Sequence, residues 1–249
     1  MLKKFIVLNV FLSSFIYAGT INIAVAANVS YAIDTLKQQF NKQHPKTKVR
    51  VILGSSGKLT AKIKNGAPYD LLMSANMFYP ETLYKEGIAV TKPIVYAQGA
   101  LAILSNNQRS FRHGIKLLKS KLVKRVAIAN PKTAPYGKAT FEALENAGIL
   151  GDVKQKIIYG ESISQTVSYT MMAADVGIIA KSSLYSKKMK KFKQNLHWKE
   201  VDKNLYTPID QGMVILKRAK VNAEVKAFYE FMKSKKAKKI LEEFGYQIP

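Results

Sequence analysis

The amino-acid sequence predicts an α/β fold with mixed, mainly parallel sheets, organised as two lobes joined by two crossover strands. Three observations carry that expectation. Apolar runs of strand length alternate with amphipathic runs of helical period along the chain. Several of the apolar runs end directly in small polar turns that open a helix. Two longer strand-like segments, at 96–105 and 206–216, stand apart from this rhythm and suit passages from one lobe to the other and back. The chain has 249 residues, 47% of them hydrophobic, enough for one large or two modest domains with filled cores.

Taken in order, residues 20–27 read as a strand. Residues 31–43 read as an amphipathic helix, with Ala32, Leu36 and Phe40 at helical spacing and Pro45 as a stop. A second strand is expected at 49–53, then a short helix that continues through 59–64 and ends near Asn65-Gly66. A third strand at 69–74 precedes a helix at 77–86 closed by Gly87. After the long segment 96–105 come a strand at 126–129 and a helix at 138–147 ending at Gly148. A strand at 156–159, a helix at 164–173 and a strand at 176–180 complete a second βαβ set. Segment 206–216 is again strand-like, and 221–244 holds two closing helices. On this reading lobe one is discontinuous, 19–97 with 214–249, and lobe two is 98–213.

Residues 1–18 read as a cleaved secretory signal peptide. Lys3 and Lys4 form a positive start, 5–16 is mostly apolar, and Ala18 precedes Gly19 at a small-residue cleavage point. Export to the periplasm is expected. With no cysteine in the chain there is no lipoprotein acylation site, disulfide or thiol chemistry. The formal net charge is +24, and removal of Lys3 and Lys4 leaves +22. Lysines are spread over nearly every expected helix, with dense runs only at 187–191 and 233–239, which suits solvated helix faces. A cationic binder of nucleic acid or surface polymer is the competing expectation; it requires steeply salt-dependent association, and no nucleic-acid motif supports it.

Four strand-to-helix junctions concentrate hydrogen-bond donors. They are Ala27-Asn28-Val29-Ser30, Ser55-Ser56-Gly57-Lys58, the segment from Asn130 through Tyr136 to Lys138, and Gly160-Glu161-Ser162-Ile163. A helix start presents N–H groups without intrahelical acceptors and the positive end of the macrodipole. Opposed starts therefore hold an anion with neutral donors. Asn28 offers a cap and an amide N–H₂. Ser56 offers a hydroxyl and an N–H, beside a glycine that permits close approach. Tyr136 and Ile163 offer N–H groups, and Ile163 by its side chain alone is a core residue. The second junction is not a phosphate-binding P-loop, because Ile52 and Leu59 stand where that motif requires Gly and Ser or Thr.

Catalytic readings are thin. His44, His113 and His197 are far apart in sequence and sit in no metal-binding motif. No G-x-S-x-G elbow occurs. Asp70 and Asp210 are single acids near strand ends, suited to capping or hinge hydrogen bonds. They are the residues an exported hydrolase would have to use.

The ordered set A-A-N-V-S, G-S-S-G-K-L, I-K-N-G-A-P-Y-D-L, N-P-K-T-A-P-Y-G and P-I-D-Q-G spans most of the chain after residue 18. It closely resembles the periplasmic molybdate-binding proteins of ABC transporters. The resemblance implies a two-lobed type II periplasmic binding fold that closes on molybdate or tungstate for delivery to an inner-membrane ABC permease. It further implies a monomer without cofactor or catalytic residues. Carried over by motif, the ligand-binding residues are Asn28, Ser56, Tyr136 and Ile163, and the metal is held only through its oxygens. Some members add a tyrosine hydroxyl from the turn that here reads Gly177-Ile178-Ile179-Ala180-Lys181-Ser182. Ala180 has none, which leaves the Asn28 amide or the Tyr136 hydroxyl to compensate. Sulfate, phosphate and ferric ion are the alternative ligands.

Overall fold

The computed structural model describes residues 19–249, so the expected signal peptide at 1–18 lies outside the described residues. The strands are β1 (Thr20–Ala26), β2 (Lys48–Gly54), β3 (Leu71–Met73), β4 (Ile94–Gly99), β5 (Leu101–Leu104), β6 (Val126–Ala129), β7 (Ile157–Gly160), β8 (Val176–Ala180), β9 (Trp198–Glu200) and β10 (Ile209–Ile215). The helices are α1 (Ile33–Asn41), α2 (Ser56–Lys64), α3 (Phe78–Lys85), α4 (Pro135–Asn146), α5 (Leu150–Val153), α6 (Ile163–Met172), α7 (Ala223–Lys233) and α8 (Lys235–Glu243). They build two five-stranded sheets, ordered β2-β1-β3-β10-β4 and β7-β6-β8-β5-β9. In the first, β1 pairs in parallel with β2 and β3, while β10 runs antiparallel to β3 and β4. In the second, β6 pairs in parallel with β7 and β8, and β5 runs antiparallel to β8 and β9.

Strand β1 is buried on both faces. Ile21, Ile23 and Val25 point to one side and Ala24 to the other, as the period of two requires. The first face packs on Ile33, Leu36 and Phe40 of α1 and on Phe228 and Met232 of α7. The Phe40 and Phe228 rings meet edge-on at 5.1 Å. The second face packs on Leu59 and Ile63 of α2 and Leu83 of α3. In the second sheet Val126 and Ile128 of β6 and Leu101 and Ile103 of β5 bury against Ala139, Ala143 and Leu144 of α4. This packing leaves the carboxyl ends of β1, β2, β6 and β7 as the places where the chain turns into the four donor-rich junctions.

Segment 96–105 is not one strand. It divides at Ala100, with β4 in the first sheet and β5 in the second, because each half takes its partners from a different sheet. The return segment enters its sheet only at Ile209. We propose lobe limits that follow the sheets, 19–99 with 209–249 and 100–208, in place of breaks at 97/98 and 213/214. Two helix starts also differ from expectation. The first junction opens a 3-10 turn, Ala27–Tyr31, before α1 begins at Ile33. Helix α4 starts at Pro135 rather than Lys138, since proline is well suited to a first helical position that has no intrahelical bond to donate.

Candidate functional site

The four junctions meet between the sheets. The pocket they enclose is walled by residues 26–28, 54–56 and Ala75 on one side and by 134–136 and Ile163 on the other. The cavity is small, with room for one compact guest. Among the described residues no charged side chain lines it. Asn28, Ser56, Tyr136 and Ile163 all border this one pocket, and each is buried.

Each donor has a structural cause. Ser56 is the first residue of α2 and Ile163 the first of α6, so neither N–H has an intrahelical acceptor. Tyr136 is the second residue of α4, behind Pro135. The loop before α4 is fixed by Asn130: its carbonyl accepts from Thr133 N–H at 3.2 Å and Ala134 N–H at 2.9 Å, and its Oδ1 accepts from Lys132 N–H at 3.0 Å. On α6 the Ser162 hydroxyl caps Gln165 N–H and leaves Ile163 N–H free of that role. Ser56 Oγ accepts the Ala75 N–H at 2.9 Å. That bond occupies a lone pair and leaves the hydroxyl proton for the guest.

Two expected donors are otherwise engaged. The Asn28 amide gives one N–H to Gln211 Oε1 at 2.8 Å and the other to Tyr246 Oη at 2.9 Å. Its Oδ1 is buried without a partner. Both N–H groups of the Asn28 amide are thus used within the protein, and none is left for a guest. The Tyr136 hydroxyl accepts from Gln211 Nε2 at 3.2 Å, and Gln211 is not among the residues that line the pocket.

Gln211, Tyr246, Tyr96 and Ser182 are the residues sequence reasoning missed. Gln211 is fully buried at an irregularity in β10, and its Oε1 also accepts from Tyr96 Oη at 2.9 Å. Tyr246 Oη and Ser182 Oγ both donate to the Asn28 carbonyl, at 2.9 and 3.1 Å. The available signal was a glutamine inside the apolar run Ile209–Ile215, an acceptor and donor that a buried strand has to satisfy. Burial, with Tyr246 and then Tyr96 nearby, holds the Tyr136 hydroxyl well above the usual tyrosine range, and burial beside Tyr246 does the same to Tyr96. Burial pushes Tyr246 up to about 12. These phenols stay neutral and hydrogen-bonding, which opposes phenolate ligation of ferric ion.

An alkaline effect follows. An unfolded tyrosine ionises near pH 10, whereas folded Tyr246 holds its proton to about 12. Between those limits the unfolded state sheds protons that the folded state keeps. Stability is therefore full below about pH 10 and declines as pH rises toward 12. Urea midpoints measured at about pH 9 and 11, with phenolate absorbance read through the transition, are expected to show a lower midpoint at pH 11 and a group of buried tyrosines that ionise only on unfolding. An unchanged midpoint with early ionisation contradicts the neutral network.

The two lobes touch around the pocket. Gly57 N–H donates to the Thr133 carbonyl at 2.9 Å, and Lys58 pairs with Glu161 at 2.7 Å. That ion pair is about half exposed, so salt screens it and it contributes little to stability. The other acids are structural. Asp70 accepts Asn22 N–H at 2.6 Å and Arg218 Nε at 2.9 Å, and Asp210 accepts Gln98 Nε2 at 2.8 Å. His44 stacks on Phe40. Among the described residues no cluster of three or more His, Cys, Asp or Glu is placed to hold a metal.

Residues 21–247 match the family described as bacterial extracellular solute-binding protein. Among curated proteins, the molybdate-binding protein ModA of Azotobacter vinelandii is 34% identical over 233 residues, covering 93% of this chain and 91% of that one. The molybdate-binding protein ModA of Rhodobacter capsulatus is 33% identical over 231 residues, covering 92% and 88%. Among solved structures, the Azotobacter vinelandii periplasmic molybdate-binding protein superposes with a TM-score of 0.85 at 31% identity, over 92% of this chain and 99% of that one.

Proposed function

We propose, from the premise that this chain belongs to the family of bacterial extracellular solute-binding proteins, that it is a periplasmic receptor for molybdate or tungstate. It is a binding protein and not an enzyme. The observation that carries the ligand is the chemistry of the pocket: helix-start N–H groups and the Ser56 hydroxyl border one small cavity, and among the described residues no charged side chain does. Molybdate and tungstate are fully ionised at neutral pH, so they accept hydrogen bonds at every oxygen and donate none. A wall of donors satisfies them. A protonated guest leaves its own O–H without an acceptor, at a cost of about 1–3 kcal/mol. The relatives named for molybdate support the same choice.

The remaining parts of the reading follow from this role. The receptor is exported by the cleaved segment 1–18, acts as a monomer, and passes its ligand to an inner-membrane ABC permease. The high positive charge draws anions toward the cleft over a distance that salt shortens. One observation favours a second reading. The unpartnered Asn28 Oδ1 is an acceptor beside the pocket wall, and an acceptor is what a hydrogen phosphate needs.

A thermal-shift panel separates these readings. At about 1,000 times the dissociation constant a ligand stabilises by about 4 kcal/mol. At about 2–4 °C per kcal/mol for a chain of this size, melting is expected to rise by about 8–16 °C with molybdate or tungstate. Sulfate, phosphate and ferric citrate are expected to give smaller shifts. A shift with phosphate alone selects the second reading, and no shift with either metal oxyanion, after copurified ligand is removed, refutes the first.

A further inference from the structure

Ser55 is the N-cap of α2, where a serine hydroxyl ordinarily accepts an N–H from the second or third helical residue. It makes no such bond here. The second-residue donor, Gly57 N–H, is taken instead by the Thr133 carbonyl of the other lobe at 2.9 Å. Ser55 is 4% exposed and borders the interlobe pocket, and its Oγ is buried without a hydrogen-bond partner. Buried hydroxyls are normally paired, so an orphan in the wall of a binding pocket marks a place for a ligand atom. We propose that the Ser55 hydroxyl donates a hydrogen bond to the bound oxyanion, in addition to the Ser56 hydroxyl and the N–H groups described above.

This inference rests on the receptor reading and deepens it. Both side-chain donors then belong to lobe one, on consecutive residues at the start of α2, while lobe two supplies N–H groups from Tyr136 and Ile163. Thr133 completes the arrangement from lobe two, because it occupies the N–H that Ser55 would otherwise cap. Recognition by hydroxyl is therefore concentrated on one lobe, and closure of the other leaves both protons directed to the guest.

The test is isothermal titration of the full folded chain with sodium molybdate. Ser55→Ala is expected to weaken binding about 10- to 100-fold, the worth of one hydrogen bond to a charged ligand. Ser55→Cys keeps the size of the side chain but has only a weak donor. It is expected to shift affinity in the same direction, and it serves if the alanine variant does not fold. A folded variant of either kind that binds within about threefold of the wild type overturns the inference. A wild-type protein that binds no metal oxyanion sinks the receptor reading instead, so the two failures are told apart.

Discussion

Replacing Gly57 with alanine is expected to leave the ligand-free protein folded and to weaken oxyanion binding by about 5- to 150-fold. Gly57 lies against the main chain of the other lobe. A Cβ there would lie 2.9 Å from the Thr133 carbonyl oxygen and 3.1 Å from its Cα, both main-chain atoms of the opposite lobe. It would also lie 2.6 Å from the Tyr79 hydroxyl, the far end of a side chain that can swing aside. The Thr133 main chain can give way only by reopening the cleft. Overpacking of that kind costs about 1–3 kcal/mol, and the cost falls on the closed form alone. The open form, free of Thr133, gains the better helix propensity of alanine, about 1 kcal/mol at most. The expected signature is a ligand-free melting temperature that is unchanged or raised, together with a weakened molybdate titration. Unchanged affinity would mean that binding does not bring Gly57 against Thr133.

Ser56→Ala is expected to damage both binding and stability, because one oxygen serves both. Its proton is available to the guest, and loss of a hydrogen bond to a charged ligand weakens binding by about 10- to 150-fold. Its lone pair holds the Ala75 N–H at 2.9 Å inside a buried wall. Removing it orphans that donor at a cost of about 1–3 kcal/mol. Ligand-free melting should then fall by about 2–12 °C. Calorimetric melting and molybdate titration of the same preparation read the two effects separately. A variant that melts lower yet binds as tightly as the wild type would show that the hydroxyl supports the wall but does not touch the ligand.

The α/β alternation and the four junctions were legible because their signals are local. Strand β1 is apolar on both faces, and it ends in Ala27-Asn28 within a few residues. Ser56, Tyr136 and Ile163 stand at helix starts that capping and proline rules locate to within about three residues. What stayed hidden depends on residues far apart in sequence. The apolar run through Ala100 looks continuous, and only the choice of partner strands in two sheets divides it. Asn28 looked free to give its amide to a ligand. Its partners Gln211 and Tyr246 lie 183 and 218 residues away, and no local rule announces them. The bond from Gln211 to the Tyr136 hydroxyl was hidden for the same reason. By local rule Ser55 is an ordinary cap, and only the fold shows the other lobe's Thr133 carbonyl taking the Gly57 N–H that Ser55 would otherwise accept.

The central claim is that uncharged donors from both lobes enclose a tetrahedral dianion. A crystal structure of the molybdate-loaded protein, with molybdenum located by its anomalous scattering, tests it most directly. The account expects one peak in the interlobe pocket, its oxygens within hydrogen-bond distance of Ser56 Oγ and of the Ser56, Tyr136 and Ile163 N–H groups. Molybdenum found elsewhere on the surface, with that pocket empty or walled by carboxylates, would contradict it.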